Sequence, residues 1–235
     1  MADETTATKA TEALELPKYL QTRPTYNGYV VPFFVSWFRG DQQVNENEVD
    51  AKPSFPTIDM GRLNSCRKHN RCWICGIKLG TYKTFVFGPA SAINRMSYEP
   101  PSHRDCARYA AQVCPYIINP KHTHVTERAI PYRFKEGESK LDDVSPHHPG
   151  LVVLYTVKYY TFKMQDRARG IGLFELPEAN NCEFYCEGRP ATIAEVVTGI
   201  RKAIDANGMI DPSQPDKMRE LAWRTMKLTE LANGP

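Results

Sequence analysis

CWICGIKLGTYKTFVFGPASAINRMSYEPPSHRDC, residues 72–106, opens on a Cys-x2-Cys followed by glycine and closes on a His-x2-Cys. Two thiolates spaced like Cys72 and Cys75 can share one tetrahedral ion if the chain between them makes a tight knuckle, and Gly76 supplies the backbone freedom for it. A lone Cys-x2-Cys says little; the second pair, His103 and Cys106, gives it meaning. Pro100 and Pro101 end an extended stretch, Ser102 is placed as a helix N-cap, and Asp105 follows three residues later in capping-box position. Ala107, Tyr109, Ala110, Ala111 and Val113 carry the helix onward. His103 and Cys106 are then expected in its first turn, and the four side chains predict a closed, structural zinc site. The competing reading of the same residues is buried cysteine pairs without a metal. Between the two ligand pairs, Lys83–Phe87 followed by Gly88-Pro89 reads as a short hairpin.

Knuckle, hairpin and helix in this order resemble the treble-clef zinc fold, and with it the metal-binding core of HNH-type endonucleases, over about Arg71 to Cys114. The HNH pattern needs a general-base histidine on the hairpin, but residues 84–95 contain none. The resemblance therefore implies the scaffold without the nuclease chemistry. A second set of residues resembles a family of uncharacterised bacterial and phage proteins. It comprises Cys72-Trp-x-Cys-Gly, Phe85-Val-x-Gly-Pro, Ala92-x-Asn-Arg95, Glu99-Pro-Pro-x-His103-x-x-Cys106, Ala111-x-x-Cys-Pro115 and the Gly188–Thr192 segment. That resemblance implies a fold unit and no particular activity.

Charge is concentrated around the same stretch. The 235 residues carry a net +3, yet residues 61–135 hold 13 Lys/Arg against 3 Asp/Glu, between flanks that are both net acidic. A basic block between acidic flanks fits an anionic partner, nucleic acid being the commonest; local ion pairing of its arginines is the alternative. Arg67, Lys68, Arg71, Lys78, Lys83, Arg95 and Arg104 are the candidate contacts. Asn94 and Glu99, together with Arg95, form a polar group that fits either a recognition surface or a network orienting His103. Lys158 and Lys163 are expected on a strand distant from this surface.

Beyond the block, the composition is that of a globular chain with an α+β arrangement, a small antiparallel sheet with segregated helices and an embedded treble-clef-like zinc module. Residues 1–17 read as a disordered acidic tail, 18–60 as an N-terminal strand segment on the body, 61–120 as the zinc module, 121–150 as a linker, and 151–235 as an α+β C-terminal part. Residues 39–60, polar and carrying Pro53 and Pro56, read as a long excursion. Residues 151–162 (LVVLYTVKYYTF) read as one strand, with two more over 171–176 and 182–186. Thr192 and Glu195 fit a capping box before Ile193, Val196, Val197 and Ile200, and a last helix is expected over about 215–232. Tyr155, Tyr159, Tyr160 and Phe162 fit core packing or base stacking. Cys66 and His69 could replace a ligand or build a second site with Cys114, or stand by; Cys182 and Cys186 fit a buried strand face better than a metal.

The longest apolar stretch, residues 28–38, is interrupted and too short to span a bilayer, and the N-terminus lacks a secretory pattern. A cytoplasmic protein, bacterial or of a phage-infected host, with reduced thiols is expected. The functional expectation is a zinc-binding, non-catalytic, nucleic-acid-associated protein, with phage or mobile-element origin as an accompanying expectation. The alternatives are a factor that binds a host protein, with zinc as scaffold, and an HNH-like hydrolase.

Overall fold

The structure, a computed structural model, describes residues 15–118, 150–166 and 171–233. The expected linker at 121–150, apart from Gly150, and most of the expected acidic tail lie outside these residues. A 3-10 turn, Lys18–Leu20, leads into five strands: β1 (Thr25–Tyr26), β2 (Tyr29–Val30), β3 (Val35–Arg39), β4 (Gln42–Val44) and β5 (Lys52–Ile58). Strands β1 and β2 form a hairpin, and β4-β3-β5 a three-stranded antiparallel sheet. About half of the polar stretch 39–60 is thus strand, where an excursion was expected. Pro53 and Pro56 are tolerated because β5 is an edge strand, where a missing N–H breaks no ladder on the open side.

Helix α1 (Met60–His69) follows, capped by Asp59, whose carboxylate accepts from Arg62 N at 3.0 Å; the sequence reading had not anticipated it. Then come β6 (Lys83–Phe87), α2 (Pro89–Asn94), β7 (Met96–Ser97), α3 (Arg104–Val113) and α4 (Pro115–Ile118). The C-terminal part supplies β8 (Val152–Val157), β9 (Thr161–Asp166), β10 (Ile171–Glu175), β11 (Asn181–Cys186), β12 (Arg189–Pro190), α5 (Ile193–Ala206) and α6 (Pro215–Ala232). Mixed α+β with small antiparallel sheets is what the sequence predicts.

The principal sheet has the order β12-β11-β8-β6, and a second one the order β7-β10-β9. Every residue of β8 is buried, so both faces of this strand are covered. Val153, Tyr155 and Val157 face the main cluster, which includes Val196 and Ile200 of α5 and Leu228 of α6. Val152 and Leu154 pack with Ala107 and Ala111 of α3. This alternation is the period of two expected of a strand.

Two expectations fail here. Lys83–Phe87 is not half of a local hairpin: β6 pairs with β8 across the molecule, Phe85 opposite Tyr155, and Gly88-Pro89 begins α2. The fully buried Phe85 ring, edge-on to Tyr160 and tilted against Phe174, needs partners that a local hairpin does not offer. The single long strand over 151–162 is two strands in different sheets. Tyr155, Tyr160 and Phe162 do pack in or against the core, whereas Tyr159, at the break, is 70% exposed.

Candidate metal centre

The knuckle is built by backbone hydrogen bonds. Cys72 N donates to Ile77 O at 2.7 Å and Gly76 N to Cys72 O at 2.8 Å, closing the turn that carries both cysteines. Gly76 has φ +79°, and a Cβ there would meet the Phe33 ring at 2.6 Å, so glycine is required both by conformation and by close packing. Phe33 N donates to Ile74 O at 2.7 Å, which fastens the N-terminal strands to the knuckle.

The second ligand pair is mounted on the principal sheet. Thr84 of β6 and Ser102 exchange two backbone hydrogen bonds, at 2.9 and 2.7 Å. Helix α3 starts at Arg104 with His103, not Ser102, as its N-cap. Ser102 is engaged as a strand-like partner of Thr84 and is buried, so its backbone serves the sheet instead. Cys106 follows within the first turn, as expected.

The ligand atoms of Cys72, Cys75, His103 and Cys106 all lie within 4.8 Å of one another, so these residues could hold a metal ion. Nδ1 of His103 is 3.3 Å from Cys75 Sγ and 3.9 Å from Cys106 Sγ. Ligand bonds of zinc would set a tetrahedral S···N edge of about 3.6 Å, between those two values. The three cysteines are buried and His103 is half-buried. Cys72 Sγ accepts N–H bonds from Cys75 and His103, both at 3.4 Å, which favours its thiolate. Burial opposes ionisation of Cys72, but hydrogen bonds from Cys106, Cys75 and His103 outweigh it and hold its pKa well below the usual thiol value. Cys106 is raised, chiefly by its hydrogen bonds to Cys72 and Cys75. For His103, desolvation favours the neutral ring, but the neighbouring thiol groups of Cys72 and Cys75 push its pKa up to about 10. Metal-free, the four groups share protons; a divalent ion would take the place of those protons. Three soft thiolates and an imidazole, closely spaced and out of water, fit zinc or a similar tetrahedral ion.

The outer contacts of His103 fix its ring. Nε2 lies 3.2 Å from Lys78 O, so the tautomer protonated there leaves Nδ1 to a metal. Tyr19 stacks on the ring at 4.3 Å, and Leu20, fully buried, packs with Cys72, Cys75 and Cys106. The sequence marks the four candidate ligands but not Tyr19, Leu20 or Phe33 around them; their aromatic and apolar character is legible, their partner is not.

Asn94 and Glu99 make none of these contacts to His103. Asn94 O accepts from Arg224 Nη1, and the Glu99 backbone N and O bond the Ser97 hydroxyl. Glu99 is exposed. Cys66, His69 and Cys114 are outside the ligand set. Cys66 is buried against Leu63 and Trp73, contacts Cys72 O at 3.8 Å, and burial pushes its thiol up to about 12, which keeps it protonated. Cys182 is a buried member of the main core.

Of the seven basic candidates, five gather around the knuckle. Arg67 lies over Phe162, Arg71 Nη1 bonds Gly76 O, Arg71 and Lys78 form a β-bridge, and Lys83 Nζ reaches Lys158 O at 2.8 Å; Lys68 is in the last turn of α1, which leads into the knuckle. Arg104 is tied to Glu183, together with Arg108, and Arg95 lies over Trp223 against α6. Lys158 overturns its expected distance: it borders Lys83, and its ammonium lies over Tyr82 at 5.6 Å. Among the described residues no helix is long and apolar enough to cross a membrane. The chain matches no protein-family model, no curated protein and no solved structure.

Proposed function

We propose that this protein is a zinc-stabilised, non-catalytic nucleic-acid-binding protein. The observation that carries the reading is the coincidence of a largely buried Cys3His cluster with several cations in the same part of the chain that no acid neutralises. Lys68, Arg71, Lys78, Lys83 and Lys158 have no carboxylate partner among the described residues. Cations left without acids favour a polyanion over an internal ion-pair network. Four protein ligands complete a tetrahedral zinc and leave no position for substrate or water, which supports a structural role over a hydrolytic one. When bound, zinc would hold the knuckle against the start of α3, while the lysines meet phosphate.

A second reading, a surface for a protein partner, rests on the exposed apolar residues Ile193 and Val197 of α5 and Trp223 and Met226 of α6. Fluorescence anisotropy of the full chain with labelled duplex and single-stranded oligonucleotides, titrated with salt, separates the two. For about four phosphate contacts, going from about 50 to 200 mM salt should weaken duplex binding on the order of a hundredfold. Lys68→Gln with Lys78→Gln should weaken binding and flatten the salt slope, with metal content unchanged. Absence of binding to every oligonucleotide at low salt would overturn the nucleic-acid reading and favour the protein partner.

A further inference from the structure

Beside the metal centre, two aromatic rings stand out of the surface where cations have gathered. Tyr82, in the turn before β6, is 54% exposed, and Tyr159, in the turn after β8, is 70% exposed. The antiparallel pairing of β6 with β8 brings the turns together, since Lys83 sits opposite Val157 at the end of the ladder. Lys83 Nζ then clamps the turns by bonding Thr81 O at 2.9 Å and Lys158 O at 2.8 Å. Lys158 Nζ lies 5.6 Å from the Tyr82 ring centroid. On the other side of Tyr159, the Tyr160 hydroxyl bonds the Asn70 side chain at 3.3 Å, joining this edge to the chain that leads into the knuckle. Leu79 N bonds Asn70 O at 2.8 Å, beside the Arg71–Lys78 bridge of the knuckle.

Exposed tyrosines present a flat π-face with a polar tip to solvent, a surface suited to stacking. Here Tyr82 lies against Lys158, Tyr159 follows that lysine in the chain, and Lys83 ties the two turns together; neither lysine meets a carboxylate among the described residues. A flat ring beside cations, with no acid among those contacts, matches the chemistry of unpaired bases strung on phosphates. Bases stack on the ring while the ammonium groups track the backbone. A duplex could use only the cations, because its bases are already stacked on each other.

We propose that Tyr82 and Tyr159, with Lys83 and Lys158 in the same two turns, form a stacking platform for single-stranded nucleic acid. The inference rests on the nucleic-acid reading above and sharpens it to a strand type and to two residues. Neither tyrosine is a metal ligand or a core residue, so both can be changed without disturbing the fold.

The test uses the full zinc-loaded chain and two fluorescein-labelled probes of equal length, a single-stranded oligothymidylate and a mixed-sequence duplex. Tyr82→Ala with Tyr159→Ala should weaken single-strand binding by at least about tenfold and change duplex binding by less than about twofold. Tyr82→Phe with Tyr159→Phe should restore single-strand binding, because the π-face is kept. Lys158→Gln should lower the single-strand salt slope by about 0.7. Zinc content and far-ultraviolet circular dichroism should match the parent in every variant. Binding by the parent that survives the double alanine change would overturn the platform while leaving the broader reading in place. Equal losses on both probes would overturn the single-strand assignment. If the parent bound neither probe, both proposals would fall.

Discussion

The two ends of the metal site are held in different ways. His103 and Cys106 begin α3, which is packed on β8 through Ala107 and Ala111 and bridged to β6 through Ser102. Cys72 and Cys75 sit on a knuckle whose cluster has six buried residues, Leu20, Cys72, Ile74, Cys75, Leu79 and Cys106, three of them ligands. The cluster that seats α3 on β8, namely Ala107, Ala111, Val152, Leu154 and Tyr185, contains no candidate ligand, and the main core of 14 buried residues, including Phe85 and Phe174, backs the other face of that strand. One half of the site is thus set by a hydrophobic core that does not need the ion. The other half has a small core of which the ligand side chains are a large part, so its order depends on what those side chains hold. The same contrast extends to the N-terminal strands, which reach the body through Phe33, Tyr19 and Leu20, at the knuckle and its ligands.

The largest effect should follow removal of the metal. A structural zinc ion contributes on the order of 10 kcal/mol of folding energy in small zinc modules, and the knuckle is built like one. Chelation, or Cys72→Ser, should release amide protection across 15–80 while β8 and β11 keep theirs, as read by hydrogen exchange. Uniform loss across the chain would show that the two regions form one cooperative unit. Uniform retention would show that the knuckle stands without a metal.

The converse comes from the other core. Phe174→Ala removes a ring that is 1% exposed and should cost about 3–5 kcal/mol in denaturant unfolding. It should leave the metal stoichiometry unchanged, since no ligand touches that cluster. A loss of metal in this variant would blur the division between the regions.

A smaller effect is expected where the N-terminal strands are stitched together. Glu46 takes a bidentate contact from Arg23 and a 3.0 Å contact from Arg62, and both guanidinium groups lie over the Phe33 ring. Burial raises the pKa of Glu46, but hydrogen bonding and charge from Arg23 and Arg62 outweigh it, for a net lowering below the ordinary 4.5. A lowered carboxylate pKa gives stability that is complete above the unfolded pKa and is lost as pH falls through the folded one. Glu46→Gln should therefore cost about 1–3 kcal/mol at neutral pH, with the gap to the parent closing below about pH 4. A gap that is constant with pH would mean that the charge of Glu46 is not what matters.

What could be read from the sequence divides along the same line. The close approach of Cys72, Cys75, His103 and Cys106 was legible because each pair is local, with a spacing that suits coordination chemistry. The Thr192–Glu195 capping box and the helix Pro215–Ala232 were legible for the same reason, since cap and periodicity lie within a few turns. The pairing of β6 with β8 was not, because no residue near Lys83 records that its partner lies more than 60 residues away. The break between β8 and β9 carries no glycine or proline; Lys158-Tyr159-Tyr160 continues a run of good strand formers. The approach of Lys158 to the basic surface follows from both and was hidden with them. Ser102 misled because a serine before an acidic residue fits an N-cap whether or not the strand beside it has already taken its backbone.

The central claim is that Cys72, Cys75, His103 and Cys106 together bind one metal ion, and native mass spectrometry tests it most directly. Protein purified without chelator should carry a mass increment of one zinc per chain, lost on acidification and absent from Cys106→Ser. A folded parent chain at the apo mass, showing no increment when zinc is added back under reducing conditions, would contradict the account.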